Sequence, residues 1–120
     1  MERGELGRLG EEAAVKWLSK EGYKVLARNV NLLPVGELDI VAERGGTIHF
    51  FEVRTARRGS PVSPLESLGH QKLRKLRRAV ELYLRKGGLT RREYTVNLVA
   101  VEVEGDKVVS VEVVPHILEG

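Results

Sequence analysis

The 120-residue chain contains no cysteine, which excludes disulfides and every thiolate metal centre. Any metal it held would have to be hard and oxygen-ligated, with Mg²⁺ or Mn²⁺ as the fitting ions. Aromatic residues are scarce, at 5% with a single tryptophan, which disfavours the stacking platforms of single-strand binders; Trp17 is expected in the core. No apolar run approaches the roughly 18 residues that a membrane span requires. The charged start MERGELGRLGEE lacks the apolar stretch of a secretory signal, so a cytoplasmic location is the expectation. His49, His70 and His116 are too dispersed to suggest a zinc site.

The length suits one domain over residues 1–120, with a core of ordinary size. The net charge is only +3, but its distribution is uneven. Residues 70–92 carry nine Lys/Arg against one acid, Glu81. Such a stripe suits a phosphate backbone, and equally a solvated helix face.

The most informative stretch is residues 36–54, GELDIVAERGGTIHFFEVR. Paired glycines between β-rich runs predict a hairpin turning at Gly45-Gly46. In that register Arg44 faces Thr47, Asp39 faces Glu52 and Glu37 faces Arg54. Alternation puts Asp39, Val41, Phe50 and Glu52 on one face, and His49 on the other. Opposed residues have Cβ atoms about 4.5–5.5 Å apart, so two facing carboxylates call for a cation between them. Such a metal, completed by waters and a substrate phosphate, polarises a phosphodiester, and a neighbouring cation stabilises the charge that develops. The same residues also fit an ordinary cross-strand ion-pair ladder. Against the ladder, Asp39 and Glu52 interrupt very apolar runs, and buried carboxylates need partners.

Along the chain, residues 5–21 follow a helical apolar pattern that ends at Gly22, with Glu11 at the border of the apolar face. Residues 23–28 predict a strand, 29–35 a loop broken by Pro34, and the second hairpin strand ends near Thr55. Residues 56–61 read as a basic loop. Ser63-Pro64-Leu65-Glu66 has the form of a capped helix start. The main helix is expected over residues 70–86, buried through Leu73, Leu76, Val80 and Leu84. Residues 94–103 and 107–114 predict two further strands, and the tail PHILEG carries no pattern. The order is α-β-β-β-α-β-β, an α/β fold with a mixed sheet flanked by helices. Arg57, Arg58, Lys72, Arg74, Lys75, Arg77 and Arg78 are the candidate phosphate contacts. His70 suits capping or the surface.

The pattern Gly7-x-x-Gly10-Glu11, Asn29, Gly36-Glu37-Leu38-Asp39, Phe51-Glu52-Val53-Arg54 and Lys72 before a basic helix resembles the YraN-like family. These small bacterial proteins are similar to Holliday-junction resolvases and to restriction endonucleases of the PD-(D/E)xK superfamily. The resemblance covers about residues 4–103 and implies a restriction-endonuclease-like mixed sheet of about five strands. It implies Glu11, Asp39, Glu52 and Arg54 as catalytic positions. It also implies Mg²⁺ or Mn²⁺ held by Asp39, Glu52 and the carbonyl of Val53. Its activity would be cleavage of structured or branched DNA, with a homodimer as the working form. Two positions depart from the family pattern. Arg54 replaces a lysine, and a guanidinium keeps its charge, which makes it a poor general base. Asn97 stands where relatives often carry aspartate. The Arg54 departure keeps a second reading open, a nuclease-like module that binds nucleic acid without cutting it.

Overall fold

The computed structural model describes residues 2–118. Helix α1 (Arg3–Lys20) precedes strands β1 (Lys24–Leu32), β2 (Gly36–Arg44) and β3 (Thr47–Arg57). Helix α2 (His70–Lys86) then crosses over to β4 (Tyr94–Glu104) and β5 (Lys107–Val114). The five strands form one mixed sheet in the order β1-β2-β3-β4-β5. Only β3 and β4 are parallel, because α2 lies between them in the chain. The expected element order and fold class hold.

The two helices cover opposite faces. Ala14 and Leu18 of α1 pack on Ile40, Ala42, Phe51, Val99, Val101 and Val103, with Trp17 beside them. Leu76, Ala79, Val80 and Leu84 of α2 pack on Val41, Ile48, Phe50 and Val96. Alternate residues of β2 and β3 thus serve two different cores, which is why both strands are apolar in nearly continuous runs. Gly22 follows α1 at φ +89°, a left-handed conformation that ends the helix without steric cost.

Three expectations need correction. Residues 29–32 are strand rather than loop: β1 continues to Leu32, which pairs with Gly36, so the connection is only residues 33–35. Burial of Leu32 and packing of Val30 on the α2 core reward the extension. Asn29 tolerates φ +49° within the strand, as asparagine does more readily than most residues. Strand β3 runs on to Arg57, held by pairing with β4. Residues 64–67 form turns rather than a helix, although Ser63 Oγ does accept the Glu66 N–H at 3.1 Å. In the tail, Ile117 donates its N–H to the Val96 carbonyl at 2.9 Å, and Ile117 and Leu118 pack beside α2.

Candidate active site

The register predicted for the hairpin holds from Arg44–Thr47 to Ile40–Phe51, where the β2–β3 ladder ends. Beyond that pair β2 continues with β1 as far as Gly36, while β3 continues with β4 as far as Arg57. A fork opens between them. In a continued ladder Leu38 and Val53 would exchange both backbone hydrogen bonds. Instead, Asp39 Oδ2 accepts the Val53 N–H at 2.8 Å. The N–H and C=O of one strand residue point to the same side, so the Val53 carbonyl faces the fork as well. The predicted opposition of Glu37 and Arg54 fails for the same reason. The strands have parted by then, and Glu37 is exposed.

Glu52 lies one residue past the last ladder pair and is 3% exposed. Burial pushes its carboxyl up from 4.5 to about 7, helped by the Asp39 charge and by a hydrogen bond that its protonated form donates to Asp39, and opposed by Lys72. Its Oε2 lies 3.2 Å from Lys72 Nζ and 3.5 Å from Arg54 Nη2. Its Oε1 is buried and meets no hydrogen-bond partner among the described residues, and Arg54 Nε is in the same condition. A buried polar atom left unpaired costs about 1–3 kcal/mol. A cation or hydrogen-bond donor brought to the fork would satisfy Glu52 Oε1.

Glu11 reaches the same region from α1. It is half-buried, and desolvation followed by the Asp39 charge raises its carboxyl, against Arg28 and a hydrogen bond from Asn29. The turn of helix that carries it is fixed on both sides. The Arg28–Glu12 ion pair, at 2.6 Å, ties α1 to β1. On the other side Gly10 lies against Thr55 so closely that a Cβ there would fall 1.7 Å from Thr55 Oγ1.

Residues 10–103 match the family described as "Uncharacterised protein family UPF0102". A UPF0102 protein of Moorella thermoacetica is 40% identical over 115 residues, covering 95% of each chain. One from Syntrophotalea carbinolica is 41% identical over 106 residues, 88% of this chain and 85% of its own. The chain belongs to the UPF0102 (YraN) family.

Within this UPF0102 fold the positions singled out in the sequence fall into two sets. Glu11, Asp39, Glu52, Val53 and Arg54 converge on the fork. Among the described residues no three His, Cys, Asp or Glu side chains enclose one point. The available donors are the two carboxylates of Asp39 and Glu52 and the Val53 carbonyl, an all-oxygen set. It suits Mg²⁺ or Mn²⁺, which keep several waters and take only one or two carboxylates. Arg74, Lys75 and Arg78 instead lie exposed on the outer face of α2. Arg57 ends β3, and Arg58 follows it in the turn, paired with Glu104 at 3.0 Å. A cleft lined by Arg54, Arg57, Arg58, Ser60 and Ser63 adjoins the fork. His49 faces the α1 side, its Nδ1 hydrogen-bonded to Thr95 Oγ1 at 2.7 Å, away from Glu52.

Two residues take positions that the sequence reading did not foresee. Lys72 does not share the exposed stripe; it points inward to Glu52. The signal was present, since Lys72 precedes Leu76 and Ala79 by four and seven residues and so lies on their face. Asn97 is structural. Its amide donates to the Phe50 carbonyl at 3.2 Å, and its oxygen accepts the His116 N–H at 3.2 Å.

The raised Glu52 carboxyl makes stability depend on pH. Between its ordinary value of 4.5 and about 7, the folded state keeps a proton that the unfolded state has released. Stability due to this group is therefore present below 4.5 and lost as pH rises towards about 7. The total is about 3 kcal/mol at most. Glu52→Gln removes the charge while keeping the shape. In a chelator, the variant is expected to exceed the wild type in stability at pH 8 by about 1–3 kcal/mol, and to match it near pH 4.5. Urea unfolding at the two pH values measures this; a constant difference would refute the buried, raised carboxyl.

Proposed function

We propose that this UPF0102 protein is a metal-dependent endonuclease that hydrolyses phosphodiester bonds in structured or branched DNA. The observation that carries the reading is Glu52, a buried carboxylate with one oxygen unpartnered among the described residues, set beside Asp39 and two cations. Asp39, Glu52 and the Val53 carbonyl would hold Mg²⁺ or Mn²⁺. When bound, that ion supplies Lewis-acid stabilisation of charge on the phosphate. Arg54, with a planar set of donors, grips non-bridging phosphate oxygens. Burial on the Glu52 side excludes bulk water and strengthens each of these interactions. The cleft lined by Arg54, Arg57 and Arg58 offers a path for the flanking strand. The likeness to junction resolvases favours branched DNA and a homodimeric working form.

The deciding experiment incubates the protein with duplex, flap and four-way DNA in Mg²⁺ and in Mn²⁺, beside an Asp39→Ala control. Cleavage of at least one substrate by the wild type alone is the expected result. An intact panel under both ions would sink the reading.

One observation favours a non-cleaving module as the second reading: Lys72 and Arg54 already balance the charge on Glu52. Both readings require the exposed face of α2 to meet phosphates. Changing Arg74, Lys75 and Arg78 together to alanine is expected to flatten the dependence of log Kd on log salt by about 2–3, close to one per lost phosphate contact. An unchanged slope in a salt titration of DNA binding removes this face from the interface.

A further inference from the structure

We propose that Lys72, delivered from α2, is a catalytic residue that performs at the fork the work of the lysine missing at position 54. The inference rests on the nuclease reading above. Lys72 Nζ lies 3.2 Å from Glu52 Oε2, and Arg54 Nη2 lies 3.5 Å from the same oxygen. One carboxylate oxygen thus gathers a lysine from the helix and an arginine from the strand, while the other meets no hydrogen-bond partner among the described residues.

The fold makes this convergence specific. Lys72 is half-buried on the face of α2 that also carries Leu76 and Ala79, whereas Arg74, Lys75 and Arg78 turn outwards. Its head is held by Glu52 Oε2, so the ammonium is directed to the fork although the side chain is partly exposed. The two cations also differ in what they can do. Arg54 presents a rigid fork of donors that matches two phosphate oxygens. Lys72 is a compact charge with three donors. Glu52 takes one of them, and the others are free in direction to hold the attacking water.

In the hydrolysis, the water oxygen forms a bond to phosphorus as the bond to the leaving sugar oxygen breaks. One water proton ends on the leaving oxygen and the other in solvent. Lys72 transfers no proton; its ammonium orients the water and stabilises the oxyanion that develops. Arg54 binds the phosphate in both ground and transition states.

The test compares wild type, Lys72→Met and the double variant Arg54→Lys/Lys72→Met. Methionine keeps the length and apolar stem, and thermal unfolding checks that each variant folds. On a DNA that the wild type cuts, Lys72→Met is expected to lower the single-turnover rate by about a hundredfold. In Ca²⁺, its DNA affinity is expected to stay within about twofold and its salt slope to stay unchanged, because this ammonium already faces Glu52. Mn²⁺ affinity at pH 9 is expected to rise about three- to tenfold, because a positive charge has left the carboxylate. Metal binding and cleavage then move in opposite directions, which a merely structural lysine would not produce. A lysine restored on the strand in the double variant is expected to recover about tenfold of the rate. Lys72→Met cleaving within about threefold of wild type, or a fall in DNA affinity that accounts for the lost rate, would overturn the inference and leave the nuclease reading standing. A wild type that cuts nothing removes both.

Discussion

Asp39→Ala is expected to lower single-turnover cleavage about a hundred- to a thousandfold while leaving the fold intact. Most buried polar substitutions lose function because they lose structure; here the two effects separate. Asp39 does two things in the fork. It accepts the Val53 N–H, and it sets a negative charge beside Glu52. Loss of the first costs about 1 kcal/mol. Loss of the second removes a repulsion and brings the Glu52 carboxyl down from about 7 towards its ordinary range. The terms oppose each other, so net stability in chelator is expected to change by no more than about 1 kcal/mol. Asp39→Asn sharpens the separation, since its amide oxygen still accepts from Val53. That variant is expected to be at least as stable as wild type and as inactive as the alanine variant. Cleavage assays beside urea unfolding decide the matter, and an Asp39→Ala protein that cuts normally would move the chemistry away from the fork.

Gly10→Ala is expected to destabilise the protein by about 1–3 kcal/mol, although alanine is the better helix former by about 1 kcal/mol. The added Cβ would fall 1.7 Å from Thr55 Oγ1, 2.9 Å from its Cβ and 3.1 Å from its Cγ2. A β-branched side chain has no rotamer that clears all three contacts, so α1 must lift away from β3. Glu11 is the next residue and lifts with it, so cleavage falls under conditions in which the variant is still folded. Thr55→Ala removes the Oγ1 and Cγ2 contacts. Combined with Gly10→Ala it is expected to lose less stability than the two changes summed. A double-mutant cycle by urea unfolding checks the coupling; a Gly10→Ala protein as stable as wild type would mean that the close approach is absent.

The hairpin and its register were legible because Gly45-Gly46 sit at φ +61° and +81°, where glycine is favoured, and because the flanking runs alternate between two cores. Asp39 and Glu52 were legible as acids inside apolar runs. The point where the ladder stops was not, because it depends on a side chain taking over a backbone bond. The strand over residues 29–32 was hidden by two asparagines and Pro34, which advertise a loop, while tertiary packing of Val30 and Leu32 decides otherwise. The contact of Lys72 with Glu52 is hidden by its neighbours in sequence, which are surface cations, although its helical phase puts it on the buried side. The contact of Gly10 with Thr55 joins residues on different elements, and no local pattern records it.

The fork divides the sheet into two arms, β1–β2 on one side and β3–β4–β5 on the other, hinged where Ile40 meets Phe51. Asp39 belongs to the first arm, and Glu52 and Arg54 belong to the second. Both helices span the gap as braces: α1 contacts β1 as well as β3, β4 and β5, and α2 contacts β1 and β2 while handing Lys72 to Glu52 on β3. The distance between the two carboxylates is therefore a mechanical property of the whole scaffold. Methyl groups packed at Ala14 or Leu76, which touch no charge themselves, set the gauge of the jaw.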